Sequence, residues 1–470
     1  MMQLLTANPH RRYLLFSHLY FVLAALLAIV FYRERIQSDS AYYLFHVVDT
    51  ENFRIEHQRY ILAFSQFLPL VGIKLGLGMK AVMMLYSLNS ILWFYLLFLY
   101  CVFFLRDKTA GSSIILISVL GVVHMFFCPM YEIWYGSALL VLVRSHLYFN
   151  RIQRWHELLL FLGITITVLF SHPLLIIPLV YLLLLDALEK WWLHWKQLLA
   201  VLLVFGSWYA IKKLMLSEYE SGKLSLLDFS WNKAYQSLSD AGYLWLRLKY
   251  IFTYYTVPLF MVIITSAFYL MRGMRLRLLL LNAFFWGHIL IINITHYHPE
   301  FPQSLYYERM YMPLVAIALL PFMYDVFTQI LLANSFGGVM IALVVGWRCW
   351  IFVQAAPQYT FYLAKTELAI KAAQKAGGSK FVLSPLLWKG AFEKAEWSFP
   401  METMLYSSFD GADKAVTIAL PEDFLHEDNA QKVNDEIIMV RRWDLRPNNG
   451  VNPRYFRIQQ GPYRRLDRMN

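Results

Sequence analysis

The chain has 470 residues, of which 59% are hydrophobic, 17% are aromatic and only 16% are charged, and its net charge is +11. Soluble domains are about half apolar and about a quarter charged, so a soluble enzyme, a fibrous protein and a disordered chain are excluded. Continuous apolar runs of roughly 20 residues favour helices that span a bilayer. The alternating pattern of a membrane β-barrel is not seen.

The excess positive charge lies mainly at the ends of the apolar runs. From Pro357 onward, 16 Lys and Arg residues nearly balance 14 Asp and Glu residues. Short basic connections near Arg106, Asn150, Glu189 and Arg272 fit the rule that cytoplasmic loops are positive. We therefore expect a lipid bilayer as partner, no nucleic acid, and an amino terminus in the cytoplasm.

Taken in chain order, the apolar runs predict a polytopic α-helical membrane protein with about eleven transmembrane helices. The predicted spans cover residues 13–32, 80–105, 112–128, 133–149, 158–170, 174–188, 198–214, 250–271, 276–294, 311–331 and 338–354. Residues 1–356 form the membrane domain, with outer loops at 33–79, 215–249 and 295–310. Within the first loop, the apolar segment 60–77 is broken by Pro and Gly, which predicts a helix at the interface.

After Pro357 the pattern changes to that of a small α/β domain, residues 357–470. An amphipathic helix is predicted at 359–375, with Gly377 and Gly378 able to end it. Strand-like runs follow at 380–383, 415–420, 436–440 and 455–459. An odd number of spans places this domain outside the cytoplasm, in the periplasm or extracellular space beyond a bacterial-type inner membrane.

Ionisable side chains are frequent in the segments assigned to the outer side. Placing a charged group at membrane depth costs free energy, so such residues are candidates for a functional site. Asp39, in SDSAYY, is the sharpest candidate for a general base; the alternatives are a solvated acid or a helix N-cap. Glu132 and His172 lie at helix turns on the same side. His57 and Arg59 are further candidates for substrate binding.

The last outer loop holds the sequence THYHPE and then YYERMYMPL. His296 and His298 can face one way on an extended segment and share a divalent metal ion; ordinary loop histidines are the alternative, and no cofactor is certain. Arg309 can fork onto a phosphate or serve as a snorkelling interfacial anchor. Tyr306 belongs to an aromatic belt at the membrane surface and is a candidate for substrate binding.

Several of these segments together resemble the GT-C superfamily of integral-membrane glycosyltransferases. The resemblance covers roughly residues 10–330. It rests on Asp39 followed by AYYL, the segment QFLPLVGIKLGLG, the second-span entry MKAVMMLYSLNSIL, and an Arg309-to-Pro313 stretch close to Arg-Tyr-x-x-Pro. Ser40 stands where the family has a second acid, Lys80 where it has an Arg, and the Trp-Trp-Asp motif of oligosaccharyltransferases is absent.

The resemblance implies a sugar transfer from a polyprenyl-phosphate donor to a glycan, lipid or protein acceptor, with inversion. Asp39 would be the base, Arg309 would neutralise the leaving phosphate, and Glu132 and His57 would orient the acceptor or assist the base. His296 and His298 would shape the donor pocket or hold an ion. The rival hypotheses are a transporter or flippase of lipid-linked sugars and a catalytically inactive envelope scaffold.

Overall fold

The computed structural model describes residues 9–189, 195–215, 221, 231–297, 304–330, 336–391, 397–426 and 429–468. These residues are mostly helical, with two small sheets near the carboxyl terminus. The helices before the sheets are α1 (Pro9–Val30), α2 (Asp39–Thr50), α3 (Leu62–Ser65), α4 (Phe67–Lys74), α5 (Met79–Leu99), α6 (Lys108–Ile117), α7 (His124–Phe127), α8 (Glu132–Tyr148), α9 (Trp155–Leu169), α10 (Ile176–Glu189), α11 (Trp195–Leu214), α12 (Trp231–Ser239), α13 (Ala241–Tyr254), α14 (Thr256–Met271), α15 (Arg275–Thr295), α16 (Ser304–Pro321) and α17 (Phe336–Ala376).

Five helices of the described chain are long and apolar enough to cross a membrane, or six if the bent pair α13 and α14 counts as one span. The five lie at Arg12–Val30, Met79–Phe104, Arg275–Thr295, Tyr307–Phe327 and Gly337–Ala376. Other predicted spans fall on apolar helices of 10–17 residues, which is shorter than the roughly 20 residues that cross a bilayer. The count of eleven therefore stays a prediction.

The predicted span 112–128 is wrong as one continuous helix. Helix α6 ends at Ile117 and the short helix α7 begins at His124, with Gly121 in the left-handed region at φ 67°. The predicted outer loop at 33–59 also contains the helix α2, and the predicted interfacial helix at 60–77 is divided into α3 and α4. The segment 250–271 bends by 85° between α13 and α14.

The boundary predicted at Pro357 lies inside a single helix. Helix α17 has 41 residues and contains Pro357, so at 1.5 Å per residue it is roughly 60 Å long. It ends at Ala376, and Gly377 and Gly378 follow with φ values of 68° and 104°, as predicted. The last apolar helix and the amphipathic helix are thus one rod, which leads into the carboxyl-terminal domain.

The elements of the carboxyl-terminal domain are β1 (Lys380–Leu383), α18 (Pro385–Ala391), α19 (Phe399–Ser407), β2 (Thr417–Ala419), α20 (Pro421–Leu425), α21 (Asn429–Lys432), β3 (Ile437–Arg441), β4 (Asp444–Pro447) and β5 (Arg464–Leu466). Three of the strands form a parallel sheet with the order β2-β1-β5, and β3 and β4 form a separate antiparallel pair. The first three predicted strands are confirmed. The run 455–459 is not a strand, and β4 and β5 were not predicted.

Candidate functional site

Asp39 is the first residue of α2, and Ser38 occupies the N-cap position with φ 52°. An acid in the first turn is stabilised by the partial positive charge of the helix amino terminus. The N-cap alternative is therefore off by one residue, because the cap position belongs to Ser38. The side chain of Asp39 is 26% exposed, so an outside group can reach it.

Arg309 of α16 lies directly against Asp39. Its Nη1 is 3.3 Å from Oδ2 of Asp39, and its guanidinium carbon is 4.5 Å from the centroid of the Tyr131 ring. An aromatic face attracts a cation at this distance, so Tyr131 supports the arginine while Asp39 pairs with it. The structure thus brings together two residues that are far apart in the sequence.

The backbone between α6 and α8 is held in place by two charged side chains from distant helices. The Glu308 carboxylate accepts N–H groups from Val123 at 2.8 Å, His124 at 2.9 Å and Met125 at 2.7 Å. Arg348 donates to the carbonyl of Val119 at 3.1 Å and to that of Val122 at 2.7 Å. Irregular backbone is tolerated at membrane depth only when such partners satisfy it.

This arrangement explains how Tyr131 reaches Arg309. Glu308, which is 1% exposed, precedes Arg309 in α16 and caps α7, and the chain continues from α7 to Tyr131 and α8. Cys128 lies in the same turn, where its Sγ accepts a 3.2 Å hydrogen bond from Ser40. No sequence pattern gave Glu308 a role, whereas in the structure it anchors the turn.

A second ion pair joins Glu132, the first residue of α8, to Arg59. Their side chains are 7% and 19% exposed, and Glu132 lies within electrostatic range of Arg309 and His172. Tyr43 lies within range of both Asp39 and Glu132. The two ion pairs are therefore neighbours in one polar cluster.

His172 lies between α9 and α10, at the edge of this cluster. Burial, followed by the positive charge of Arg59, lowers the pKa of His172 to about 3. Its Nδ1 accepts a 3.2 Å hydrogen bond from the N–H of Leu174, which a neutral ring can do. His57 is held through its backbone carbonyl, which accepts a 2.8 Å hydrogen bond from Lys212.

The carboxyl-terminal domain packs directly on α2. Glu402 of α19 accepts a 2.8 Å hydrogen bond from the backbone N–H of Ser38 and a 3.0 Å hydrogen bond from the Tyr362 hydroxyl. The Tyr406 hydroxyl is 2.7 Å from the Arg33 carbonyl and 2.6 Å from that of Ile36. The chain that enters α2 is thus fixed from the carboxyl-terminal side.

The far end of α2 is fixed by the same domain. Asp49 accepts a 2.5 Å hydrogen bond from Arg446 and a 2.9 Å hydrogen bond from the N–H of Asn452. Asn452 also donates to the Val48 carbonyl at 2.9 Å. Both ends of the helix that carries Asp39 therefore depend on the carboxyl-terminal domain, which no sequence pattern indicated.

The last outer loop is described only in part. His298 and the side chain of Tyr306 lie outside the described residues, so the structure gives no position for either. His296 ends α15, where its Nδ1 is 2.8 Å from the Thr295 hydroxyl. Within the described residues, no group of three or more His, Cys, Asp or Glu side chains is placed to hold a metal ion.

A second polar cluster lies toward the other ends of α8 and α16. Arg144, with no exposed surface, is 3.2 Å from Asp325, and Asp325 also accepts a hydrogen bond from Tyr269. Asp107 accepts hydrogen bonds from Ser145 at 2.7 Å and Tyr324 at 2.8 Å. Two π-helical turns, Tyr100–Phe104 and Phe322–Phe327, lie next to this cluster or inside it.

No protein-family model, no curated protein and no solved structure matches the chain. The functional assignment therefore rests on side-chain geometry. Sequence reasoning missed Tyr131 and Glu402 as parts of the site. The motif PMYEIWYG contained a signal for Tyr131, since it directly precedes Glu132, but Glu402 lies in a segment without any recognisable motif.

Proposed function

We propose that the protein is an inverting glycosyltransferase of GT-C type, with about eleven spans, that uses a polyprenyl-phosphate-linked sugar as donor. The contact between Asp39 and Arg309 carries this proposal. It places a carboxylate that can act as a base next to a guanidinium that can bind the donor phosphate, beside a membrane-embedded helical body. The acceptor is a glycan, a lipid or a protein on the outer face of a bacterial-type inner membrane.

The ion pair suggests an order of events. In the free protein Arg309 holds Asp39, and both side chains remain about a quarter exposed. The donor phosphate then binds Arg309 and displaces Asp39, because a phosphate is a stronger partner for a guanidinium than one carboxylate oxygen at 3.3 Å. The carboxylate of Asp39 is then free to receive a hydrogen bond from the acceptor hydroxyl.

The transfer step is an in-line displacement at the anomeric carbon. The acceptor oxygen forms the new bond to that carbon as its proton passes to Asp39. The bond between the anomeric carbon and the phosphate oxygen breaks, and its electrons leave with the polyprenyl phosphate. Arg309, supported by Tyr131, neutralises the charge that develops on this oxygen. Attack opposite to the leaving group inverts the anomeric centre.

The neighbouring polar residues position the acceptor. Glu132 is held by Arg59 and keeps negative charge near Arg309, so it orients Arg309 and a sugar hydroxyl. A neutral His172 can offer a hydrogen bond without adding charge. In this proposal His57 and Tyr306 bind substrate, and His296 and His298 shape the donor pocket or hold a divalent ion.

The test is sugar transfer by the purified protein with a panel of synthetic polyprenyl-phosphate monosaccharides, read out as released polyprenyl phosphate. Asp39→Asn should lower the rate by about 10²- to 10⁴-fold while still binding polyprenyl phosphate. Asp467→Asn is the matched control, because the exposed Asp467 pairs only with the exposed Arg465 among the ion pairs of the described residues. Full transfer by a folded Asp39→Asn variant would reject the proposal.

The transporter hypothesis is favoured by one observation. Arg144 and Asp325 form a buried pair inside the helical body, and intramembrane charges mark transport paths in many membrane proteins. Movement of a labelled lipid-linked sugar across vesicles, without release of polyprenyl phosphate, would support this function. Neither transfer nor movement would support the inactive envelope scaffold.

A further inference from the structure

Arg247 of α13 is a buried cation that has no acid partner in the described part of the chain. Its residue is 3% exposed, and its Nε and one terminal nitrogen, Nη2, are buried without a hydrogen-bond partner. Nothing in the described chain lies within ion-pair distance of it. Buried charges are nearly always paired, so this guanidinium, which has no acid partner among the described residues, is a candidate site for an anionic ligand.

Two tyrosine rings flank the guanidinium. The guanidinium carbon is 3.3 Å from the centroid of the Tyr307 ring and 4.5 Å from that of Tyr243. The hydroxyls of these tyrosines donate to the His296 carbonyl at 3.2 Å and 3.3 Å. The ring faces attract the positive charge of the guanidinium, but they offer no hydrogen-bond acceptor to the N–H groups in the guanidinium plane.

The position of α13 suggests where such an acceptor comes from. The helix lies at 85° to α14 and exposes Trp245, Leu248 and Phe252, which are 69%, 43% and 59% exposed. A short helix that lies nearly perpendicular to a membrane-spanning helix and exposes tryptophan and other apolar side chains is typical of the bilayer surface.

Arg247 is separate from the site around Asp39. Arg309 contacts Asp39 and Tyr131, whereas Arg247 contacts Tyr307. Tyr307 and Arg309 are two positions apart on α16, so their side chains point to different faces of that helix. A ligand at Arg247 would therefore not occupy the Asp39 site.

We propose that Arg247 binds a phosphate group presented at the bilayer surface, as in the headgroup of an anionic phospholipid. A guanidinium stacked on a ring still has unsatisfied N–H groups in its plane, and their fork matches two phosphate oxygens. The lipid tails would lie against the apolar outer face of α13. This inference does not depend on the proposed transfer reaction.

The experiment measures the thermal unfolding midpoint of the full-length protein in neutral detergent. Phosphatidylglycerol, phosphatidylcholine and inorganic phosphate are added separately, because a ligand that binds the folded state raises the midpoint. We expect phosphatidylglycerol to raise the midpoint of the wild type above the value with phosphatidylcholine. An equal rise with inorganic phosphate alone would support the phosphate site and assign it to a soluble ligand.

Arg247→Met removes the charge and leaves an unbranched apolar side chain. We expect it to lose the shift specific to phosphatidylglycerol, while Lys249→Gln, two positions away on the exposed side, keeps it. A phosphatidylglycerol shift that persists in Arg247→Met overturns the proposal. If Arg247→Met does not fold, the measurements on the wild type decide. The proposal is then overturned if phosphatidylglycerol raises the unfolding midpoint no more than phosphatidylcholine does and inorganic phosphate does not raise it.

Discussion

The backbone N–H of Ser38 donates a 2.8 Å hydrogen bond to the carboxylate of Glu402, although 364 positions separate the two residues. Ser38 immediately precedes Asp39, so a residue of the carboxyl-terminal domain fixes the start of the helix that carries the candidate base. Glu402 is 1% exposed and also accepts hydrogen bonds from Tyr362 and Ser398. The domain is therefore part of the site.

Glu402→Gln tests this link. The amide retains the shape of the side chain but loses the charge, which weakens a charge-assisted hydrogen bond by about 1–2 kcal/mol. We expect sugar transfer to fall by roughly tenfold and amide hydrogen exchange at residues 38–42 to become faster. Glu422→Gln, which pairs with Arg442 elsewhere in the same domain, is the control. Unchanged exchange at residues 38–42 would contradict the link.

Arg309→Lys separates charge from geometry. Lysine keeps the positive charge and its attraction to the Tyr131 ring, but it cannot fork onto two phosphate oxygens. We expect kcat to fall by about 10²- to 10³-fold, as for the loss of one donor to a developing negative charge, with a smaller change in KM. Arg272→Lys, at the carboxyl end of α14, is the control and should change neither kcat nor KM. A kcat near that of the wild type would assign Arg309 to membrane anchoring instead.

Arg144 and Asp325 form a buried pair whose energetic role can be measured by a double-mutant cycle. Removing one partner of a buried ion pair costs about 3–5 kcal/mol, and Arg277, whose Nη1 lies 3.8 Å from Asp325, offsets part of this cost in Arg144→Met. We expect Arg144→Met and Asp325→Asn each to lower the unfolding midpoint strongly, and the double variant to lower it less than the sum of the two. Additive losses would show that the two side chains act independently.

His46 gives the carboxyl-terminal interface a dependence on pH. Burial, followed by the charges of Arg54, Arg446 and Arg441, lowers the pKa of His46 to about 3, against an opposing contribution from Asp444. The folded state keeps the ring neutral, whereas the unfolded state takes up a proton below its ordinary pKa of about 6.5. Stability is therefore lost as the pH falls from about 6.5 toward 3.

His46→Phe should remove this share of the acid sensitivity, because it keeps a ring against Tyr42 and cannot titrate. The wild type should lose about 1 kcal/mol more than the variant between pH 6.5 and 5.5, and about 2.3 kcal/mol more between pH 6.5 and 4.5. Unfolding midpoints measured across this range check the difference. The exposed His156→Phe variant is the control, and parallel curves for wild type and His46→Phe would refute the prediction.

Local patterns in the sequence predicted those elements whose cause is local. The apolar run at 13–32 corresponds to α1, and the glycines after Ala376 end α17, because helix length and positive φ are properties of short segments. Asp39 and Arg309 could be selected as candidates since charged residues beside apolar runs are costly wherever they occur. The roles assigned to them stay predictions.

The sequence alone determined that the chain is mostly helical, with helices apolar and long enough to cross a membrane, and that a mixed domain follows them. Composition and the length of apolar runs suffice for this, because they decide whether a segment is more stable in water or in an apolar environment. The tertiary structure alone decided that Asp39 contacts Arg309, that Glu308 and Arg348 hold an open turn inside the helical body, and that Glu402 reaches Ser38. Each of these contacts joins polar groups that are more than 180 positions apart in the sequence. Such pairings depend on how the helices pack, and no local pattern encodes them.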